Sequence, residues 1–152
     1  MKASATWKPT EGNPQEYDAL SDSNHTVHLD ADPAHTTGPS PMELVLMGLC
    51  GCTSADVTAI LRKKREPITG LVVSAVAEQA DTHPHVFTRI QLVYRVSGDV
   101  SHKSLEDAVQ LSKTKYCSVS LMIDKSAVIE HRLEFEKPQD CMSPEPASAQ
   151  PA

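Results

Sequence analysis

One segment limits what this chain can fold into more than any other. It runs Ser40-Pro41-Met42-Glu43-Leu44-Val45-Leu46-Met47-Gly48-Leu49-Cys50-Gly51-Cys52-Thr53-Ser54-Ala55-Asp56-Val57 and continues to Lys64. Ser40 is placed to accept a hydrogen bond from the third helical amide while Glu43 reaches back to the Ser40 amide, a reciprocal cap that predicts a helix start. Pro41 at the first helical position agrees with it. Apolar Leu44, Met47, Leu49, Cys52, Ala55, Val57, Ile60 and Leu61 spread over more than one stripe, which predicts a long helix buried on most sides. The basic run Arg62-Lys63-Lys64-Arg65 suits the negative end of the helix dipole and places that end at the surface. Gly48 and Gly51 each cost about 1 kcal/mol relative to alanine inside a helix. The expected reason for them is the close approach of another chain or room at a reacting thiol.

The rest of the chain supplies strands around this helix. Residues 2–8, Tyr17 to Leu20 and His25 to Asp30 are short strand candidates separated by turn-forming residues. Asp32 to Pro39 is a loop leading to the helix. After Pro67 the β-branched stretch Leu71 to Ala77 predicts a strand. A second strand alternates, with Thr88, Ile90, Leu92, Tyr94 and Val96 on a core face and Phe87, Arg89, Gln91, Val93 and Arg95 on a wet one. Ser101 to Lys115 reads as an amphipathic helix with Leu105, Ala108, Val109 and Ser112 inward, and Tyr116 to Ile123 as a second small helix with Cys117 at or near its start. Ala127 to Phe135 alternates as a final strand. From Pro138 the composition turns to Pro, Ser, Ala and Gln, so residues 138–152 are expected to be a disordered tail after one domain over 1–137. The fold class expected is α+β, with antiparallel strands packed around a long central helix.

Composition narrows the function. A formal charge of −6 across 152 residues leaves no electrostatic footprint for nucleic acid. The start of the chain lacks a signal-peptide pattern, and no apolar run is read as reaching the 18 or so residues that span a bilayer, so no membrane partner and a cytoplasmic location are expected. Four cysteines, Cys50, Cys52, Cys117 and Cys141, have no disulfide-framework spacing. Cys50 and Cys52 point about 200° apart on a helix and cannot share one ion, and no second Cys/His pair completes a four-ligand set, so no metal is expected. Seven histidines are scattered without ligand spacing. A thiolate is favoured where helix amides or cations stabilise it, which Cys117 satisfies and mid-helix Cys52 does not without a neighbouring charge; from spacing alone Cys52 reads as a small buried hydrophobe.

The segment Pro41 to Cys52, followed about 65 positions later by Lys115-Tyr116-Cys117-Ser118-Val119-Ser120, resembles the OsmC/Ohr family of thiol-dependent peroxidases. The likeness covers about residues 1–136 in order of elements. It is nearest the subgroup whose second motif reads Lys-Tyr-Cys-Ser-Val. The resemblance implies an OsmC-like fold in an intertwined homodimer with two interface sites. It implies Cys52 as peroxidatic thiol and Cys117 as resolving thiol, joined in a disulfide that an external dithiol reductant, a thiol reductant protein, reopens. Hydroperoxides, organic ones above all, would be the substrate, in oxidative-stress defence, with no bound cofactor. This chain departs from the peroxidase pattern in one respect. The family's activating arginine and the glutamate ten positions before the first cysteine have no counterparts, since position 42 is Met and no arginine precedes Arg62. Glu43 already serves the helix cap, and His25, His28 and Lys115 are the remaining cationic candidates. An alternative therefore stands beside the enzyme: a non-catalytic protein of the same scaffold that binds an apolar small molecule or senses redox state.

Overall fold

The computed structural model of the chain describes residues 1–136. The expected tail and Cys141 lie outside them. The described residues form two sheets and a long helix, an α+β fold.

The first compact unit, Met1–Leu49, carries a three-stranded antiparallel sheet of β1 (Ala3–Trp7), β2 (Glu16–Ser21) and β3 (Thr26–Asp30) in sequential order. Its organising group is the buried Asp30 at the end of β3. Asp30 Oδ1 accepts from Asn13 Nδ2 at 2.7 Å and from the Asp32 amide at 3.0 Å, while Oδ2 accepts from the Thr37 amide and hydroxyl, each at 3.1 Å. These donors hold the Asp30 carboxyl well below the usual carboxylate range, the Asn13 amide most of all. One buried charge thus shapes the loop that hands the chain to the helix.

That helix, α1 (Pro41–Lys63), opens with the expected cap. The Ser40 amide donates to Glu43 Oε2 at 2.7 Å and the Glu43 amide to Ser40 Oγ at 3.2 Å. The helix closes on Arg65, whose positive φ of 61° lets the Glu66 amide reach the Leu61 carbonyl at 3.0 Å. Burial on most sides, expected from composition, is not what the chain shows. Only Leu49, Thr53, Val57 and Leu61 are buried, a single stripe spaced four apart, while Met42, Val45 and Met47 are exposed. A side chain placed at Gly48 or Gly51 would meet nothing within 4 Å. One more expectation needs correcting: α1 is by length and composition apolar enough to cross a membrane, with a mean hydropathy of 1.8 over its best window.

The second unit begins at Cys50 and includes β4 (Ile68–Gln79), β5 (Phe87–Gly98) and β6 (Val128–Glu136), ordered β4-β5-β6. β4 and β5 are antiparallel as expected, but β6 runs parallel to β5. The parallel pairing follows from the connection, because the helical segment between β5 and β6 returns the chain to the same end of the sheet. Ile90, Leu92, Tyr94 and Val96 face the core, fully buried. The alternation predicted for β5 fails at one point: Phe87 is buried and Thr88 exposed. A register shift opposite Glu78 and Gln79 inserts Thr88 as a bulge, which reverses the faces of the residues before it. On the outer face Arg89 pairs with Glu130, and Arg95 with Glu134 and Glu136.

Between β5 and β6 lie α2 (His102–Leu111), a π-helical turn over Ser112–Tyr116, and α3 (Ser118–Ile123). The single amphipathic helix expected through Lys115 therefore ends early. Its inward residues Leu105, Ala108, Val109 and Ser112 are buried as the periodicity required. Lys64 Nζ pairs with Asp107 at 2.8 Å, and Glu66 accepts from the Ser101 amide at 3.0 Å, which fastens α2 to the end of α1.

Candidate functional site

Cys52 and Asp56 stand four residues apart on α1, so they occupy the same row of the helix, one turn from each other. Cys117 is the N-cap of α3, in extended backbone geometry that follows directly from the π turn: its own amide donates to the Ser112 carbonyl at 2.9 Å. The two sulfurs and a carboxylate oxygen of Asp56 all lie within 4.8 Å of one another. Ser112, the first residue of the π turn, donates its hydroxyl to Asp56 Oδ2 at 3.0 Å, and so ties the segment that positions Cys117 to the helix that carries Cys52. A π turn adds a residue to the helical ring and commonly marks a functional position. Here it ends the α2 helix where Cys117 must turn toward α1.

The Cys117 sulfur is fully buried and accepts from the Ser120 amide at 3.3 Å. Burial pushes its thiol up from the ordinary range, and a hydrogen bond with the Cys52 side chain adds to the rise, while the Ser120 amide and hydroxyl pull the other way. In the isolated chain Cys117 is held as the neutral thiol at neutral pH. Cys52 and Asp56 are half-buried. Asp56 also lines a cleft of about 300 Å³ together with Ala59, Ile60, Lys63 and Tyr116, which meets the cluster at the Asp56 side chain. Beneath it, fully buried Tyr94 stacks against His131, ring centroids 5.8 Å apart. Burial raises the Tyr94 phenol to about 12, opposed by the neighbouring Thr53 hydroxyl.

Comparison with known proteins places this geometry. Residues 33–132 match the family model described as OsmC-like protein. Protein YhfA of Escherichia coli K12 is 39% identical over 113 residues, covering 74% of this chain and 84% of its own. The chain belongs to the OsmC-like family. Among solved structures, a hypothetical protein from Aquifex aeolicus VF5 superposes with a TM-score of 0.77 at 26% identity, over 90% of this chain and 96% of that one. The organic hydroperoxide resistance protein OhrB of Bacillus subtilis does so with a TM-score of 0.62 at 15% identity, over 88% and 98%, a likeness of fold.

Within this OsmC-like chain the structure brings Cys52 and Cys117 together, and the other candidates have contacts of their own. Cys50 is half-buried, its thiol raised by burial, and its carbonyl accepts from the Thr53 and Ser54 hydroxyls. Glu43 is held by the Ser40 cap. His25 bonds Ser23, and His28 bonds Asp18 at 3.0 Å, which raises its pKa. Lys115 lies over the Tyr116 ring at 5.4 Å. Sequence reasoning missed Asp56. The available signal is its i, i+4 relation to Cys52, which sets the two on one row of the helix.

His131 was also missed. Both of its ring nitrogens are buried, with no hydrogen-bond partner among the described residues. Burial above all, and after it the nearby Lys113 charge, lowers its pKa to about 4. The folded chain therefore holds His131 neutral while the unfolded chain takes up a proton near pH 6.5, so stability is complete above that value and falls as the pH drops toward 4. Discounted for partial exposure, the loss between pH 7.5 and pH 5 is about 1–2 kcal/mol. Chemical denaturation at the two pH values should show this loss in the parent and much less of it in His131→Phe; equal losses in both would contradict the assignment.

Proposed function

We propose that the protein is a thiol-dependent peroxidase that reduces organic hydroperoxides, with Cys52 as the attacking thiol and Cys117 as the resolving one. The observation that carries this reading is the placement of both sulfurs and the Asp56 carboxylate within one 4.8 Å cluster, beside the cleft that Asp56 lines. In the proposed cycle the Cys52 thiolate attacks the distal oxygen of the peroxide O–O bond. That bond breaks, and the leaving alkoxide takes a proton to become the alcohol. The Cys52 sulfenic acid then condenses with the Cys117 thiol, forming the S–S bond and releasing water. An external dithiol restores both thiols by exchange.

Asp56 fits a proton-carrying role. A carboxylate does not stabilise a neighbouring thiolate by charge, but it can take the thiol proton and pass it to the alkoxide. Its bond from Ser112 keeps one oxygen occupied and the other available. Cys52 precedes Cys117 in this scheme because it is the less buried of the two. The Lys115-Tyr116-Cys117-Ser118-Val119 segment supports a place in the subgroup whose second motif reads Lys-Tyr-Cys-Ser-Val. A homodimer is part of the proposal: exposed Met42 and Val45, in one row of α1 with the open Gly48, give the helix an apolar strip that a second copy would cover. A cytoplasmic setting, where thiols are kept reduced, would supply the reductant.

Turnover of cumene hydroperoxide with dithiothreitol as reductant tests the reading. Cys52→Ser should lower the rate by at least about 100-fold, and Cys50→Ser should leave it unchanged. With no reductant added, Cys117→Ser should consume one equivalent of peroxide and then accumulate a sulfenic acid that dimedone traps. Unchanged turnover in Cys52→Ser would refute the assignment.

A further inference from the structure

We propose that the reduced protein binds one Zn²⁺ ion through Cys52, Asp56 and Cys117, and that oxidation of the two cysteines to a disulfide releases it. The donor set is the basis. Two thiolate sulfurs and one carboxylate oxygen are ligands zinc accepts, and three protein ligands with a fourth position open is the pattern of its reactive sites. Zinc bonds of about 2.3 Å to sulfur and about 2.0 Å to oxygen in a tetrahedral arrangement separate the sulfurs by about 3.8 Å and sulfur from oxygen by about 3.5 Å. The three donor atoms already lie within 4.8 Å of one another, so each has to move inward by no more than about an ångström, which a small χ adjustment at Cys52 and Asp56 provides.

The surroundings agree. Metal ligands are commonly oriented by outer hydrogen bonds. Asp56 Oδ2 receives one from Ser112, leaving Oδ1 for the ion, and the Cys117 sulfur receives one from the Ser120 amide. Among the described residues Asp56 makes no ion pair, although Lys63 lines the same cleft. Bound zinc would keep both sulfurs as thiolates, displacing their protons, and the fourth position would face the cleft along Asp56. Cys50 has no place in this set, pointing about 200° away from Cys52 around α1.

Release follows from electron balance. Two thiolates, one hydroperoxide and two protons give one disulfide, one alcohol and one water; the sulfurs lose two electrons, the O–O bond gains them, and zinc leaves unchanged as Zn²⁺. Binding does not depend on the peroxidase reading. Release by hydroperoxide does, and the experiment separates them.

Reduced full-length protein freed of metal is titrated anaerobically with Co²⁺, whose thiolate charge-transfer absorption reports coordination by sulfur, and zinc affinity is then read by competition with a chromophoric chelator. Circular dichroism verifies that each variant is folded. The expected result is one equivalent bound, with Asp56→Asn weakening zinc binding about 10–100-fold, Cys52→Ser and Cys117→Ser each removing most of the charge-transfer intensity, and Cys50→Ser binding like the parent. Binding in Asp56→Asn as tight as in the parent, or undiminished binding in Cys52→Ser/Cys117→Ser, would overturn the site. Diamide should release the ion. Zinc released by diamide but retained under cumene hydroperoxide would support the site and the redox release, and count against the peroxidase reading alone.

Discussion

The hydrogen bond from Ser112 Oγ to Asp56 Oδ2 is the contact on which the arrangement of the site depends. Cys52 and Cys117 come from distant parts of the chain, and nothing in either local structure alone would make their sulfurs meet. The helix fixes Asp56 one turn beyond Cys52. The π turn fixes Cys117 five residues beyond Ser112. Joining Asp56 to Ser112 at 3.0 Å therefore registers one cysteine against the other. The bond to a carboxylate in a half-buried setting is of the charge-assisted kind, stronger than a neutral one. The Lys64 and Glu66 contacts to Asp107 and Ser101 fasten the other end of the same pair of helices.

Periodicity made much of this legible. The capping box at Ser40 and Glu43, the amphipathic face of α2 and the inward row of β5 from Ile90 to Val96 are each written in residues a few positions apart, and the structure places them as the pattern required. What failed to show in the sequence was decided by partners far away in the chain. The bulge at Thr88 arises from the pairing of β4 with β5, the parallel direction of β6 from the length of the helical connection, and the π turn at Ser112–Tyr116 from the need to seat Cys117. Asp56 was legible in spacing but not in type, because a carboxylate on a helix is ordinarily a solvated residue.

The composition of α1 also reads differently with the fold in hand. Its apolar residues suggested burial on most sides, yet a stripe of Leu49, Thr53, Val57 and Leu61 is all that is buried in the single chain. The excess of apolar surface and the two open glycines describe a helix with more faces than one copy of the chain covers. Near the site, burial raises both the Tyr94 phenol and the Cys117 thiol. In the absence of a bound ion a thiol so raised suits the proposed resolving role, protonated until a sulfenic acid is beside it.

The central claim is that Cys52 and Cys117 form one redox pair. The most direct measurement is peptide mapping under non-reducing conditions after one equivalent of cumene hydroperoxide is added to the fully reduced protein. The account predicts a mass loss of two hydrogens and a single crosslinked peptide joining the Cys52 and Cys117 fragments, with Cys50 still free to alkylate. A disulfide through Cys50 or Cys141 instead, or both Cys52 and Cys117 recovered as free thiols after the peroxide is consumed, would contradict it.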